Sequence, residues 1–180
     1  MLSEVKQNNQ ISEPIARYEF ARSVRMADTD ATGFAHFASY VRMMEETEYA
    51  FLRSRGLSVV LYDARGTMGF PRLSAEIEIH RPLSLGEHVT VRLSLVSVDG
   101  KQIAYQFEVM DDQQVLSVEG KFTAAFCRFP DRGIPYAMLI PESVMFALTQ
   151  GHLDQFTSGS SDSTNTISLT PCQKTSPSTR

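Results

Sequence analysis

The stretch MADTDATGFAHFASYVRMMEETEYAFLRSRG, residues 26–56, joins an acidic turn to a long segment with a periodic apolar pattern. From Phe37 onward, apolar residues recur at steps of three and four, which is the spacing of one face of an α-helix. Arg53 and Arg55 fall near the end of this pattern, and Gly56 follows them. Basic residues and then glycine are typical of a helix C-terminus. The stretch therefore predicts one long helix that begins after an acidic turn.

Around this helix the apolar residues alternate with polar ones, the period of a β-strand with one buried face. The predicted strands cover residues 17–26, 73–79, 89–95, 103–109 and 116–126. Asp99-Gly100 is a hairpin signal between two of them, and Gly120 predicts a β-bulge in the last. A short helix is predicted at 142–150. The order predicts an α+β fold in which an antiparallel sheet of about five strands wraps around one central helix.

Length and composition narrow the class of protein. The chain has 180 residues, 42% of them hydrophobic, which suits one domain at about residues 14–155. Residues 1–13 are predicted to be flexible, and residues 156–180 form a Ser/Thr-rich tail predicted to be disordered. A net charge of −4 gives no global attraction to nucleic acid. With no long apolar run and no signal-peptide pattern, we expect a cytoplasmic protein that is not in a membrane.

The acidic turn permits three interpretations. Asp28, Asp30 and Gly33 match the start of a calcium loop, but Ser39 stands where a bidentate glutamate is required. One of Asp28, Asp30 and Thr32 could instead cap the helix. In the third interpretation, a carboxylate beside an apolar, helix-capped pocket performs acid–base or nucleophilic chemistry.

The third interpretation leads to a family resemblance. A strand that ends in D-T-D-A-x-G, followed by six residues, Tyr40 and an acidic helix, resembles the 4-hydroxybenzoyl-CoA thioesterase branch of the hotdog superfamily. The thioesterases associated with the Tol–Pal system share this pattern. The segments IEIHRPLSLGEHVTVRLSL at 77–95 and DRGIPYAMLIPESV at 131–144 are also similar to this family. The resemblance spans residues 17–150 and implies a hotdog fold that hydrolyses an acyl-CoA with neither cofactor nor metal.

The resemblance also implies roles for the turn and the helix start. Asp30 is implied to be the catalytic carboxylate, as nucleophile or as general base. The backbone N–H of Phe37 is implied to hold the thioester oxygen, which fits the unpaired N–H groups and positive dipole end of a helix N-terminus. His36, one residue before the position where relatives often carry histidine, is a further catalytic candidate.

Other residues are candidates for binding substrate. They are Gly33, Phe34, Tyr40 and Phe70 for the acyl group, and Arg81 and Arg128 for the phosphates of coenzyme A. Glu48 is a second choice of base, because it lies on the apolar stripe of the helix. The sheet edge and the rest of the helix need cover, so a homodimer or a dimer of dimers is expected.

Three other functions stay open at this stage. A hotdog hydratase would need an Asp and His placed together in an N-P-x-H type segment, which the chain lacks. A non-catalytic acyl-CoA or acyl-carrier binding module is possible because fold does not fix function. A thioesterase of secondary metabolism would prefer a carrier-protein thioester to free acyl-CoA.

Overall fold

A computed structural model describes residues 13–150 of the chain. The predicted flexible N-terminus, residues 1–13, lies outside the described residues except for Glu13, and the predicted Ser/Thr-rich tail, residues 156–180, lies wholly outside them. The strands are β1 Ala16–Ser23, β2 Val60–Asp63, β3 Gly66–Gly69, β4 Arg72–Ile79, β5 His88–Asp99, β6 Gln102–Asp111, β7 Leu116–Ala125, β8 Cys127–Phe129 and β9 Tyr136–Ala137. The helices are α1 Phe37–Ser54 and α2 Glu142–Gln150, and a 3-10 turn covers Met26–Asp28.

Five strands form one antiparallel sheet in the order β1-β5-β6-β7-β4. Its inner face packs on α1 through a core in which Met44, Phe51, Phe107 and Phe122 are fully buried. This is the predicted hotdog fold, a sheet wrapped around one central helix. A second small sheet, in the order β2-β3-β8-β9, was not predicted. Neither described helix is long and apolar enough to cross a membrane.

The predicted bulge at Gly120 is wrong. Gly120 pairs in unbroken register with Phe107 on one side and Ile77 on the other. The reason for the glycine is the close approach of the helix, because a Cβ at this position would lie 2.5 Å from the sulfur of Met44. The residue therefore sets how tightly α1 packs on the sheet.

The β4 strand is an uncovered edge of the main sheet within the described part of the chain. It pairs with β7 on one side, and no strand follows it on the other. Leu73 and Ile79, on the side of the sheet that faces α1, are 55% and 43% exposed. A single α1 is too narrow to cover the apolar residues of this edge.

Candidate active site

The turn before α1 is fastened through Asp28, which is buried. Its carboxylate forms a salt bridge with Arg22 and accepts a hydrogen bond of 2.9 Å from the backbone N–H of Arg25. Its backbone oxygen accepts from the N–H of His36 at 2.8 Å and from Oγ of Ser39 at 2.7 Å. Asp28 thus holds the start of the helix in place, and its carboxylate is already used within the protein.

Asp30 lies on the exposed part of the same turn. Its Oδ1 accepts from the backbone N–H of Thr32 at 2.8 Å and from the Thr32 hydroxyl at 2.5 Å. These hydrogen bonds lower the pKa of Asp30 below its ordinary value, with a smaller contribution from His36. Gly33 closes the turn with a φ of 81°, a conformation that favours glycine. The carboxylate is therefore ionised at neutral pH and accessible.

The helix start is capped by His36, and not by Asp28, Asp30 or Thr32, so that interpretation is wrong. The Nδ1 of His36 accepts a hydrogen bond from the backbone N–H of Ala38 at 3.1 Å. The N–H of Ser39 bonds to the carbonyl of His36 at 2.8 Å. Among the described residues the N–H of Phe37 has no hydrogen-bond partner. The predicted oxyanion donor is therefore unpaired at the positive end of the helix.

Four exposed apolar side chains, which we call the Asp30 rim, surround this turn. They are Met26 at 73%, Phe34 at 43%, Phe37 at 59% and Leu85 at 46% exposure. Hydrogen bonds join the turn to the loop of Leu85, because Gly33 accepts from the N–H of Leu85 at 3.1 Å. The expected pocket beside the carboxylate is not formed by one chain, where Asp30 and its rim lie on an open surface.

The two other aromatic residues predicted to bind substrate, Tyr40 and Phe70, do not join Asp30 on the exposed surface. Tyr40 is buried, and its hydroxyl accepts from the N–H of Leu83 at 3.2 Å. Phe70 packs against Phe126 with ring centroids 5.0 Å apart and lines a cavity beside the C-terminal half of α1. Tyr40 bonds to Leu83, whose carbonyl accepts from the N–H of Ala35 in the turn, but its side chain is buried rather than exposed with Asp30.

Both predicted phosphate-binding arginines are engaged by internal acids. Arg81 contacts Glu87, Asp111 and Ser117, with the last two contacts at 3.2 and 2.8 Å. Arg128 is buried and forms two hydrogen bonds of 2.6 Å with the carboxylate of Asp63. This pairing lowers the pKa of Asp63 to about 2. In this structure Arg81 fixes the loop after β4, and Arg128 joins β8 to the end of β2.

A second acidic group lies at a cavity of about 180 Å³ along the helix. Glu48 is 2% exposed and is held by both terminal nitrogens of Arg72. Burial raises the pKa of Glu48, and Arg72 opposes that change. Tyr49 and Phe70 also line this cavity. Glu48 therefore has the buried environment that Asp30 lacks in one chain.

Tyr105 of β6 is a further unusual residue, which no sequence motif marks. Its hydroxyl is buried and has no hydrogen-bond partner among the described residues. Burial raises the pKa of Tyr105 well above its ordinary value, and the charge of Glu48 adds to this. The alternating pattern of β6 predicted a buried side chain at this position, but the proximity to Glu48 depends on tertiary packing.

Comparison with known proteins agrees with this fold. A family model described as the thioesterase-like superfamily matches residues 24–148. A 1,4-dihydroxy-2-naphthoyl-CoA hydrolase of Rippkaea orientalis is 28% identical over 105 residues, which is 57% of this chain and 76% of that protein. The corresponding hydrolase of Synechococcus elongatus is 26% identical over 56% of this chain and 74% of its own.

Solved structures show the same architecture. A 1,4-dihydroxy-2-naphthoyl-CoA thioesterase from Synechocystis superposes with a TM-score of 0.65 at 19% identity, over 75% of this chain and 97% of its own. A mutant 4-hydroxybenzoyl-CoA thioesterase in complex with 4-hydroxybenzoyl-CoA gives 0.63 at 12% identity, over 73% and 98%.

The fold and the family match together define a hotdog thioesterase. The chain belongs to the thioesterase-like superfamily. The predicted fold and the predicted enzyme class, a thioester hydrolase, are confirmed.

Proposed function

We propose that the protein hydrolyses the thioester of a hydroxylated aromatic acyl-CoA, as a member of the 4-hydroxybenzoyl-CoA thioesterase branch. The observation that carries the proposal is an ionised, accessible carboxylate, Asp30, seven residues before the unpaired N–H of Phe37 at a helix N-terminus. The names of similar proteins support the substrate class, since they include hydrolases of dihydroxynaphthoyl-CoA and of gentisyl-CoA.

In the proposed reaction, the carbonyl oxygen of the thioester accepts a hydrogen bond from the N–H of Phe37. Asp30 either attacks the carbonyl carbon or removes a proton from the water that attacks it. Charge that develops on the oxygen is stabilised by the helix N-terminus, an interaction of about 3 kcal/mol per donor. The leaving thiolate needs no strong acid, because the pKa of a thiol is about 8.5.

The active form is proposed to be a homodimer in which β4 of one copy pairs with β4 of the other. The unpaired edge of β4 and the exposed Leu73 and Ile79 support this arrangement, because both features are unfavourable in water. A second copy would also cover apolar surface near the Asp30 rim and turn the open turn into a cleft. A dimer of dimers is consistent with the same pairing.

The dimer is tested by Leu73→Lys, which places a charge on the inner face of the β4 edge. We expect light scattering to change from twice the 20.1 kDa chain mass to a monomer, with loss of most hydrolysis. Ser74→Lys is the matched control, because Ser74 is an exposed neighbour on the outer face of the same strand. A wild-type monomer with full activity would contradict the proposed dimer.

The substrate class is tested with a panel of hydroxybenzoyl-, dihydroxynaphthoyl- and saturated acyl-CoA esters, assayed by release of free thiol. We expect the hydroxyaryl esters to give a kcat/KM at least about tenfold higher, because aromatic and polar contacts discriminate by 1–3 kcal/mol. Tight binding of every ester without turnover would favour the acyl-CoA binding module. Turnover restricted to a pantetheinylated carrier protein would favour the carrier-protein thioesterase.

A further inference from the structure

We infer that Glu78, His80 and Glu119 form a binding site for a divalent transition-metal ion, with Zn²⁺ as the expected occupant, on the outer face of the sheet. One potential ligand atom from each side chain lies within 4.8 Å of the other two. The site is separate from the Asp30 turn, and it does not depend on the proposed hydrolysis.

The β-sheet itself brings the three side chains together. Glu78 is near the end of β4 and His80 follows two residues later, so both point to the same face. Glu119 of β7 is the register partner of Glu78. The inner face at this level is occupied by Gly120 against Met44, which leaves the three side chains on the opposite face, beside a groove of about 450 Å³.

The distances are compatible with a shared ion. The Nε2 of His80 lies 2.9 Å from a carboxylate oxygen of Glu119, and a single set of ligand atoms, one from each of the three side chains, lies within 4.8 Å of one another. Ligand atoms around tetrahedral zinc are separated by roughly 3.4 Å, given bonds of about 2.0–2.1 Å. Small rotations of exposed side chains would therefore close the site, and a solvent molecule would complete the coordination.

The charges at this position also favour a cation. Glu78 and Glu119 oppose each other directly, and Glu108 of β6 opposes Glu119 on its other side. Like charges in opposite positions on adjacent strands are destabilising. Arg92 forms an ion pair with Glu108 at 3.4 Å, whereas Glu78 and Glu119, among the described residues, pair with His80 alone. A divalent ion would neutralise both carboxylates.

The donor set selects the metal. One imidazole and two carboxylates suit zinc and neighbouring transition metals, whereas calcium and magnesium prefer oxygen ligands only. Edge pairing of β4 with a second copy uses backbone groups, so it leaves this face accessible. The ion would link the C-terminal end of β4 to β7. It would so stabilise the strand that is proposed to pair with a second copy.

The test measures Zn²⁺ binding to the full chain after chelator treatment, by isothermal titration calorimetry and thermal unfolding. We expect one ion per chain and a rise in Tm of roughly 5 °C at a hundredfold excess over Kd. Co²⁺ in place of zinc should give the visible absorption of a nitrogen–oxygen site. His80→Ala and Glu119→Gln should each weaken binding at least tenfold.

His88→Ala is the matched control, because His88 is an exposed strand histidine that pairs with Ser23. It should bind Zn²⁺ as the wild type does. Circular dichroism verifies that each variant is folded. Absence of stoichiometric binding, or binding that His80→Ala and Glu119→Gln leave unchanged, would overturn the inference.

Discussion

Asp30→Asn is expected to lower kcat for hydroxyaryl-CoA hydrolysis by about 10³-fold while the fold stays intact. A positioned carboxylate that acts as base contributes 10²- to 10⁴-fold, and an amide can act neither as nucleophile nor as base. Asp30 is exposed and bonds to Thr32 only within its own turn, so the substitution removes no packing. Steady-state assays of thiol release, with circular dichroism on the same samples, measure the effect.

Asp112→Asn is the matched control, because Asp112 is an exposed turn carboxylate far along the chain. It should leave kcat unchanged. The pH profile adds a second criterion, since the hydrogen bonds from Thr32 lower the pKa of Asp30 below its ordinary value and favour the ionised form. The contribution of Asp30 should not decline between pH 7 and pH 5. An Asp30→Asn variant of wild-type activity would rule out the proposed role.

Phe37→Pro is expected to lower kcat by about 10²- to 10³-fold, whereas Phe37→Ala lowers it only slightly. Proline lacks the N–H that is proposed to hold the developing oxyanion, and one such donor contributes about 3 kcal/mol. Phe37 is the first residue of α1, where proline is well tolerated. His36 has φ −67° and ψ 147°, a conformation that proline allows in the preceding residue.

The two variants separate the contribution of the Phe37 backbone N–H to kcat from that of its side chain. The N–H of Phe37 has no partner among the described residues, so its loss costs the fold no hydrogen bond. Phe37→Ala keeps this donor and removes only a side chain that is 59% exposed. Helicity should be unchanged in both. Equal losses of kcat in the two variants would assign the effect to the aromatic ring and refute the oxyanion role.

The main elements of the fold were predictable because each is long enough for its apolar period to repeat several times. The apolar stripe of α1 runs over five turns, and the alternation in β4 to β7 covers whole strands. The small sheet was missed because β2, β3 and β8 have only three or four residues, too few to show a period. The role of Gly120 was misread because the atom that requires a glycine there, the sulfur of Met44, lies on another element.

The site was less predictable than the fold. The motif located the turn and the helix start, but the capping residues considered were Asp28, Asp30 and Thr32, because histidine is not among the preferred N-cap residues. The internal partners of Arg81 and Arg128 are 6 to 65 residues away in the chain, a separation that no local pattern reports. The exposure of the Asp30 turn could not be predicted, because it depends on tertiary packing and on whether a second chain covers the turn.

The most direct test of the central claim is a crystal structure with a ketone analogue of 4-hydroxybenzoyl-CoA, in which a methylene group separates the sulfur from the carbonyl. The ketone oxygen is expected to lie about 3 Å from the N–H nitrogen of Phe37. Asp30 is expected to lie within about 3.5 Å of the carbonyl carbon or of a water beside it. A ketone bound at the Glu48–Arg72 cavity, with Asp30 in open solvent, would contradict the central claim.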